Sequence, residues 1–157
     1  MNCLNERQKK YTNFIAYLFA TGFGTGYMPL APGTAGSLLA LLVYFFLPLT
    51  PFSWLIITLF FIGIGVWAAE VVEKKLGKDP GIVVVDEMIG QWCALLFLPL
   101  TFRILIMGFL LFRLLDIIKP FPARNFERLK GGIGIVLDDI MAGIYTNIIL
   151  QLISFFL

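Results

Sequence analysis

Charged side chains are scarce in this chain, and that shortage constrains the solvent in which it can fold. Only 14% of the 157 residues are charged, 59% are hydrophobic, and the mean hydropathy is +0.90. A soluble domain is about 25% charged, and a single core of this size cannot bury so much apolar surface. We therefore predict an integral membrane protein. The net charge of only +2 gives no indication of nucleic-acid binding.

Apolar segments recur along the chain and predict an all-α fold. A membrane-spanning helix needs about 20 residues, and turn-forming residues separate the segments. We predict an integral membrane bundle of about five hydrophobic helices, forming one domain over residues 1–157. The segments cover residues 37–47, 52–69, 82–98, 102–118 and 133–157.

Two apolar stretches are too short to cross a membrane unaided. Phe14–Ala20 predicts a short N-terminal helix that is interfacial or re-entrant. The segment 37–47 would need Gly33–Gly36 or its other flank to complete a span. A four-span alternative, in which this segment only dips into the membrane, stays open.

The basic residues predict the orientation. Cytoplasmic loops of membrane proteins are enriched in Lys and Arg. Five spans that start inside leave the uncharged connections 48–51 and 99–101 outside, and they place three basic clusters in the cytoplasm. The clusters are Arg7, Lys9 and Lys10; Lys74, Lys75 and Lys78; and Lys119, Arg124, Arg128 and Lys130.

Half of the ten carboxylates lie in or beside apolar segments, although each costs about 2.5–3.5 kcal/mol at mid-membrane. All five fall near the predicted cytoplasmic helix ends, so antiparallel helices would gather them. Their repulsion would be large, and a hard divalent cation such as Mg²⁺ would remove it. The alternative is ion pairing with Arg113, Lys119 and Arg124. The five acids are Asp86, Glu87, Asp116, Asp138 and Asp139.

Four of the five acids form two adjacent pairs, Asp86–Glu87 and Asp138–Asp139. Neighbours on a helix point about 100° apart, so both members of a pair need not face the site. If one of each pair faces it, Glu87 and Asp139 are favoured. Asp116 is either a further ligand or the residue that orients Arg113 or Lys119. The candidate metal ligands or general base are Asp86, Glu87, Asp138 and Asp139.

Candidate phosphate-binding groups occur on the same side. Arg113 and Lys119 share a helix flank with Asp116, and Arg124 follows after Pro120; a guanidinium binds phosphate through two hydrogen bonds. The alternative is that these bases are snorkelling anchors.

Two glycine-rich turns, 29–37 and 131–134, precede helices whose N-termini favour anions. In the first, Thr34 and Ser37 could contact phosphate and Gly33 shapes the turn. The alternative for the glycines is close helix packing.

The residue types present in the chain limit the phosphatase mechanisms that it can use. The chain has no histidine, which removes imidazole as nucleophile or base. Cys93 lacks an arginine six residues later, as a cysteine phosphatase requires, and both cysteines, Cys3 and Cys93, are predicted to be free thiols. Metal-assisted hydrolysis of a lipid phosphate remains, with a carboxylate as general base and Arg or Lys stabilising the developing charge.

Four stretches in order resemble the bacterial phosphatidylglycerophosphatase A family: residues 22–37, 85–90, 112–124 and 131–143. The resemblance covers roughly Phe14–Tyr145. It implies an all-helical protein of the bacterial inner membrane, with its active site facing the cytoplasm. It also implies Mg²⁺-dependent hydrolysis of the phospholipid phosphatidylglycerophosphate to phosphatidylglycerol. The resemblance assigns no role to individual acids.

Three other functions stay open at this point. One is a phosphatase with a broader range of lipid phosphates. Another is a small transporter coupled to cations or protons, since buried carboxylates also relay ions. The last is transfer of a lipid phosphate between alcohols. The oligomeric state is not predicted.

Overall fold

The computed structural model describes residues 2–126 and 129–156, and side chains for 10–126 and 129–155. This leaves Arg128 and the side chains of Cys3, Arg7 and Lys9 outside the described residues. In that part of the chain seven α-helices and a 3-10 turn, Thr25–Tyr27, occur without strands. The helices are α1 Asn2–Ala20, α2 Pro32–Phe46, α3 Pro51–Leu76, α4 Val85–Leu95, α5 Phe102–Ile118, α6 Ala123–Phe126 and α7 Gly132–Phe156.

The predicted all-α class is confirmed, but the count of five spans is not. Two described helices are long and apolar enough to cross a membrane, Pro51–Leu76 and Gly132–Phe155, and Pro32–Phe46 is apolar but shorter. The N-terminal helix is also not short, because its 19 residues continue through the polar stretch before Phe14. Helix α2 starts at Pro32, and so includes the glycines that the first predicted span needed.

The third predicted span is the one that differs most. Helix α4 has 11 residues, a length of about 17 Å at 1.5 Å per residue, against a hydrocarbon core of about 30 Å. It contacts α1, α2, α3, α5 and α7, and all its residues except Glu87 are buried. A helix that is buried on every side lies in the core, and α4 is therefore the central helix of the bundle.

Side chains from distant helices satisfy the backbone where α4 ends inside the protein. The Asn147 amide donates to the carbonyls of Ala94 at 3.1 Å and Leu96 at 2.8 Å, and the Tyr44 hydroxyl donates to that of Leu95 at 2.9 Å. The last carbonyls of a helix have no partner within it, and unpaired ones are costly away from water. These bonds allow a short helix to end among apolar side chains.

The turn after α1 positions the start of α4. The Val84 N–H donates to the Ala20 carbonyl at 2.8 Å. A Cβ on Gly26 would overlap the Ile82 carbonyl, so only glycine permits this approach. The first turn of α4, which carries Asp86 and Glu87, is thereby held against the end of α1.

Large apolar side chains also cover the outside of the bundle. Phe52 and Phe60 on α3, Leu110 on α5 and Phe155 on α7 are each at least 60% exposed. Exposed apolar patches on this scale mark contact with a partner or a membrane, as the composition predicts.

Candidate active site

A polar cavity of about 330 Å³ opens at one end of the bundle. The first turns of α2, α4 and α7 converge there with the last turn of α5. Besides Pro32, Gly33, Gly81, Val83, Ile117 and Ile135, the cavity is lined by charged residues. These are Asp79, Asp86, Glu87, Asp116, Lys119, Asp138 and Asp139.

Both members of each acidic pair line the cavity. The reason is that the cavity lies over helix ends and is enclosed by neighbouring helices, so side chains about 100° apart both reach it. Asp86, Asp138 and Asp139 are buried and Glu87 is half-buried.

Three of these carboxylates form a compact group. One oxygen from each of Asp86, Glu87 and Asp139 lies within 4.8 Å of the others. Two ligands of one Mg²⁺ lie at most about 4 Å apart, because each bond is about 2.1 Å. A small inward movement would therefore bring all three onto one cation.

The other two predicted acids, Asp116 and Asp138, each form an ion pair. Arg113 Nη1 lies 2.9 Å from Asp116 Oδ2, and Lys119 Nζ lies 2.7 Å from Asp138 Oδ2. Both pairs are largely buried, which makes their geometry well defined. Asp138, a predicted metal ligand, is therefore held by Lys119 in this structure.

The compact group keeps unpaired oxygens. Asp86 Oδ1, Glu87 Oε2 and Asp139 Oδ2 are buried without a hydrogen-bond partner in the described residues, where they also form no salt bridge. Buried carboxylates without partners are expensive, and oxygen donors of this kind suit a hard divalent cation. The residues present therefore fit a hard divalent metal ion.

Gly33 brings the start of α2 against the acidic group. A Cβ on Gly33 would overlap Glu87 Oε1 and would lie 3.3 Å from Arg113 Nη1. Glycine therefore leaves the space that the Glu87 carboxylate occupies. Pro32 and Gly33 line the cavity, so the N-terminus of α2, the positive end of its dipole, lies at the cavity wall.

The other predicted phosphate contacts lie farther away. Ser37 is fully buried, donates to the Gly33 carbonyl at 2.9 Å and accepts from Arg113 Nη1 at 3.4 Å. Ser37 does not line the cavity, and neither does Arg113, although its partner Asp116 does. Thr34 is half-buried and Arg124 is exposed on α6, and neither lines the cavity.

The second glycine-rich turn serves helix packing. A Cβ on Gly132 would overlap the Val66 carbonyl of α3, and one on Gly134 would overlap the Leu129 carbonyl. Neither glycine lines the acidic cavity. Of the two interpretations of this turn, the structure favours close packing of α7 on α3.

Comparison with known proteins identifies the family. The family model described as "PgpA: Phosphatidylglycerophosphatase A" matches residues 18–154, most of the chain. The chain belongs to the phosphatidylglycerophosphatase A family. This confirms the family that the four sequence stretches resemble.

Three related proteins align with this chain over most of their length. Phosphatidylglycerophosphatase A of Escherichia coli is 40% identical over 88% of this chain and 83% of its own. The Haemophilus influenzae protein of the same name is 36% identical over 90% of both chains. A Bacteroides thetaiotaomicron protein named "Putative phosphatidylinositol-3-phosphatase" is 45% identical over 90% of this chain and 94% of its own. No solved structure matches the chain.

Two residues near the candidate site, Asp79 and Gln91, are not among the predicted site residues. Asp79 lines the cavity from the turn after α3, at a left-handed φ of 47°. Its position within Lys-Asp-Pro-Gly, close before the third apolar segment, was an available signal. Gln91 lies one turn after Glu87 on α4 and is fully buried. A glutamine inside a predicted span was also a signal, because polar residues are rare there.

Replacing Gln91 by Leu should leave the protein as stable or stabilise it by about 1 kcal/mol. Neither atom of the Gln91 amide has a hydrogen-bond partner in the described residues, and an unsatisfied buried group costs about 1–3 kcal/mol. Thermal unfolding in detergent measures the change. In the control, Thr146→Val, the lost hydroxyl only donates to Ala142 one turn back, so we expect a near-neutral result. A marked loss for Gln91→Leu alone would mean that the amide is paired.

Proposed function

We propose that this protein hydrolyses the terminal phosphomonoester of phosphatidylglycerophosphate, releasing phosphatidylglycerol and inorganic phosphate. Family membership supports the reaction, since two relatives are named phosphatidylglycerophosphatase A. The observation that carries the site is the cavity in which three clustered carboxylates lie beside Lys119 and the Arg113–Asp116 pair.

Asp86, Glu87 and Asp139 would hold the metal ion, which we propose to be Mg²⁺. When bound, Mg²⁺ supplies a Lewis acid that neutralises phosphoryl oxygens and lowers the pKa of water. The support is the chemistry of the donor set, since carboxylate oxygens are the ligands that this hard cation prefers. Asp116 remains a candidate for a further ligand.

Asp138 is suited to the role of general base. Its Oδ2 accepts from Lys119 at 2.7 Å, whereas its Oδ1 is buried without a partner in the described residues. In the proposed reaction the Asp138 carboxylate takes a proton from the attacking water. The water oxygen forms a bond to phosphorus and the bond from phosphorus to the glycerol oxygen breaks. The departing alkoxide takes a proton from water in the open cavity, and Asp138 returns the proton it accepted to solvent.

The cationic residues would stabilise the charge that develops on the phosphoryl oxygens. Lys119 lines the cavity directly. Arg113 is oriented by Asp116 and Ser37, and the first turn of α2 adds backbone N–H groups beside Gly33. These groups bind and orient the phosphate, while the adjacent carboxylates repel it unless a cation is bound.

We also propose a bacterial inner-membrane location with several spans and the cavity facing the cytoplasm. The basic residues on the cavity side, including Lys119 and Lys78, support this orientation by the positive-inside rule. Both helices long enough to span, α3 and α7, have an end near the cavity. The substrate headgroup would then approach from the membrane surface.

Phosphate release by purified protein tests the function and its metal dependence. With phosphatidylglycerophosphate in mixed micelles, we expect turnover with Mg²⁺, loss to background in excess EDTA, and recovery when Mg²⁺ is restored. The chelator removes the charge that holds the three carboxylates and the phosphate together. Full activity in EDTA would contradict the metal proposal, and no release under any metal condition would contradict the function.

A broader range of lipid phosphates is the second candidate function. The Bacteroides thetaiotaomicron relative, named for a phosphatidylinositol 3-phosphatase, is 45% identical to this chain. The same assay with phosphatidylinositol 3-phosphate separates the two. A kcat/KM equal to or above that for phosphatidylglycerophosphate would favour the broader or alternative specificity.

A further inference from the structure

We propose that an apolar groove beside the acidic cavity binds an acyl chain of the lipid substrate. The groove has a volume of about 330 Å³ and lies between the end of α5 and the middle of α7. This inference rests on the proposed function, because it assigns the tail of the same lipid whose phosphate enters the cavity. The groove is lined by Leu115, Pro120, Phe121, Tyr145, Ile148 and Ile149.

The chemistry of the groove suits a hydrocarbon chain. Its one polar side chain, Tyr145, donates its hydroxyl to the Phe121 carbonyl at 3.0 Å, which pairs the polar atoms of both groups. The Phe121 ring is 81% exposed, so it forms an uncovered apolar wall. Among the described residues, no charged side chain lines this groove.

The groove lies next to the cavity along two helices. On α5, Ile117 and Lys119 line the cavity, while Leu115 and Pro120 line the groove. On α7, Tyr145 follows Asp138 by seven residues. Two turns of helix separate such residues by about 10 Å and leave them within about 20° of the same face. The cavity and the groove therefore lie one after the other on one side of α7.

The direction of the groove fits the order of groups in the substrate. In phosphatidylglycerophosphate a glycerol, a phosphodiester and a second glycerol separate the scissile phosphate from the acyl chains. From Asp138 the groove leads past Tyr145 to Ile148 and Ile149, toward the middle of an apolar helix that is long enough to cross a membrane. A phosphate in the cavity would thus place the acyl end of its lipid at the groove.

A larger pocket, also mostly apolar, lies far from the acidic cavity. It contains Phe102 and Arg103 at the start of α5, whereas the acidic cavity lies at the end of that helix. The 17 residues of α5 separate the two by about 25 Å. Of these two pockets, the groove next to the cavity is the one that can serve a lipid whose phosphate is at the carboxylates.

Filling the groove should reduce hydrolysis of long-chain lipid selectively. Ile148 is 52% exposed, so Ile148→Trp places a bulky ring in the groove without disturbing the core. With long-chain phosphatidylglycerophosphate in mixed micelles we expect kcat/KM to fall about tenfold, which corresponds to losing contact with about two methylene groups. With the deacylated, water-soluble headgroup phosphate we expect no change.

The matched control is Leu110→Trp, which adds the same ring at a 60% exposed position of α5 outside the groove. We expect wild-type rates with both substrates. Equal losses of Ile148→Trp with the long-chain and the deacylated substrate would contradict the proposal, and so would an unchanged preference for the long chain.

Photocrosslinking of the wild-type protein provides a readout that needs no variant. A phosphatidylglycerophosphate with a diazirine in one acyl chain should label peptides from 115–121 and 144–152, and unlabelled substrate should compete. Label spread along the exposed face of α3 without competition would mean bulk lipid contact and would overturn the assignment. If wild-type protein releases no phosphate from any lipid, the proposed function fails, while the crosslinks still report on the groove.

Discussion

The Asp139→Asn variant should lose at least about 100-fold in phosphate release while remaining folded. Asp139 is 3% exposed and supplies one of the three clustered oxygens. Loss of even an outer-shell partner of a metal ligand costs about 10–100-fold, and a ligand itself should cost no less. The measurement is kcat/KM for phosphatidylglycerophosphate at saturating Mg²⁺.

The Asp139→Asn substitution should lower activity, but without metal it should leave the stability of the fold unchanged or raise it. Asp139 lies beside the other carboxylates of the cavity, and like charges in a low dielectric repel each other. Asparagine removes one charge, so we expect the melting temperature without metal to be unchanged or higher. Added Mg²⁺ should stabilise wild type, by about 2.7 kcal/mol at a hundred times its Kd, and should stabilise the variant much less.

Glu70→Gln is the control for the Asp139 variant. Glu70 pairs with Lys74 on the exposed face of α3, and exposed pairs contribute little. We expect wild-type activity and a wild-type response to Mg²⁺. An Asp139→Asn variant that folds and keeps both properties would show that Asp139 is not a ligand.

The Gly33→Ala variant should lose about 100-fold in activity without losing stability. The added Cβ would occupy the place of Glu87 Oε1, and the flexible Glu87 side chain can move aside at little cost to the fold. Alanine is also the better helix former. The displaced carboxylate would no longer meet its partners, and a misplacement of 1 Å can cost about 10²-fold.

Gly63→Ala provides the matched glycine control. Gly63 lies inside α3, and a Cβ there would meet nothing within 4 Å. We expect stabilisation of about 0.5–1 kcal/mol with unchanged activity. Melting temperature and kcat/KM measured on both variants separate a local effect on the site from a general effect of alanine. Wild-type activity of Gly33→Ala would show that the position of the Glu87 carboxylate is not critical.

Helix boundaries were predictable where local chemistry decides them. Helix α5 covers Phe102–Ile118 as predicted, because Thr101 accepts from Ile104 at its start and Pro120 follows its end. Helix α4 is shorter than its apolar segment, because apolar residues look alike in a helix and in buried irregular backbone. Its end depends on bonds from Tyr44 and Asn147, about 50 residues away.

The candidate site was predictable as a set of residues but not as an arrangement. The scarce charges, placed at helix ends, indicated one acidic cluster. Which residue each acid pairs with in this cluster depends on how the helices are oriented about their axes. Side-chain packing between the helices sets that orientation. Asp138 pairs with Lys119, whereas its neighbour Asp139 joins Asp86 and Glu87. No local pattern distinguishes two adjacent aspartates in this way.

By itself the sequence determined the apolar composition, the all-α class and the end of the bundle at which acidic and basic residues meet. Composition and periodicity are properties of one segment at a time, and the hydrophobic effect acts on each segment directly. Only the tertiary structure decided that α4 is a buried central helix, that Gly33 makes room for Glu87, and that Gln91 is buried without a hydrogen-bond partner among the described residues. These features depend on contacts between segments far apart in the chain, and close packing sets them.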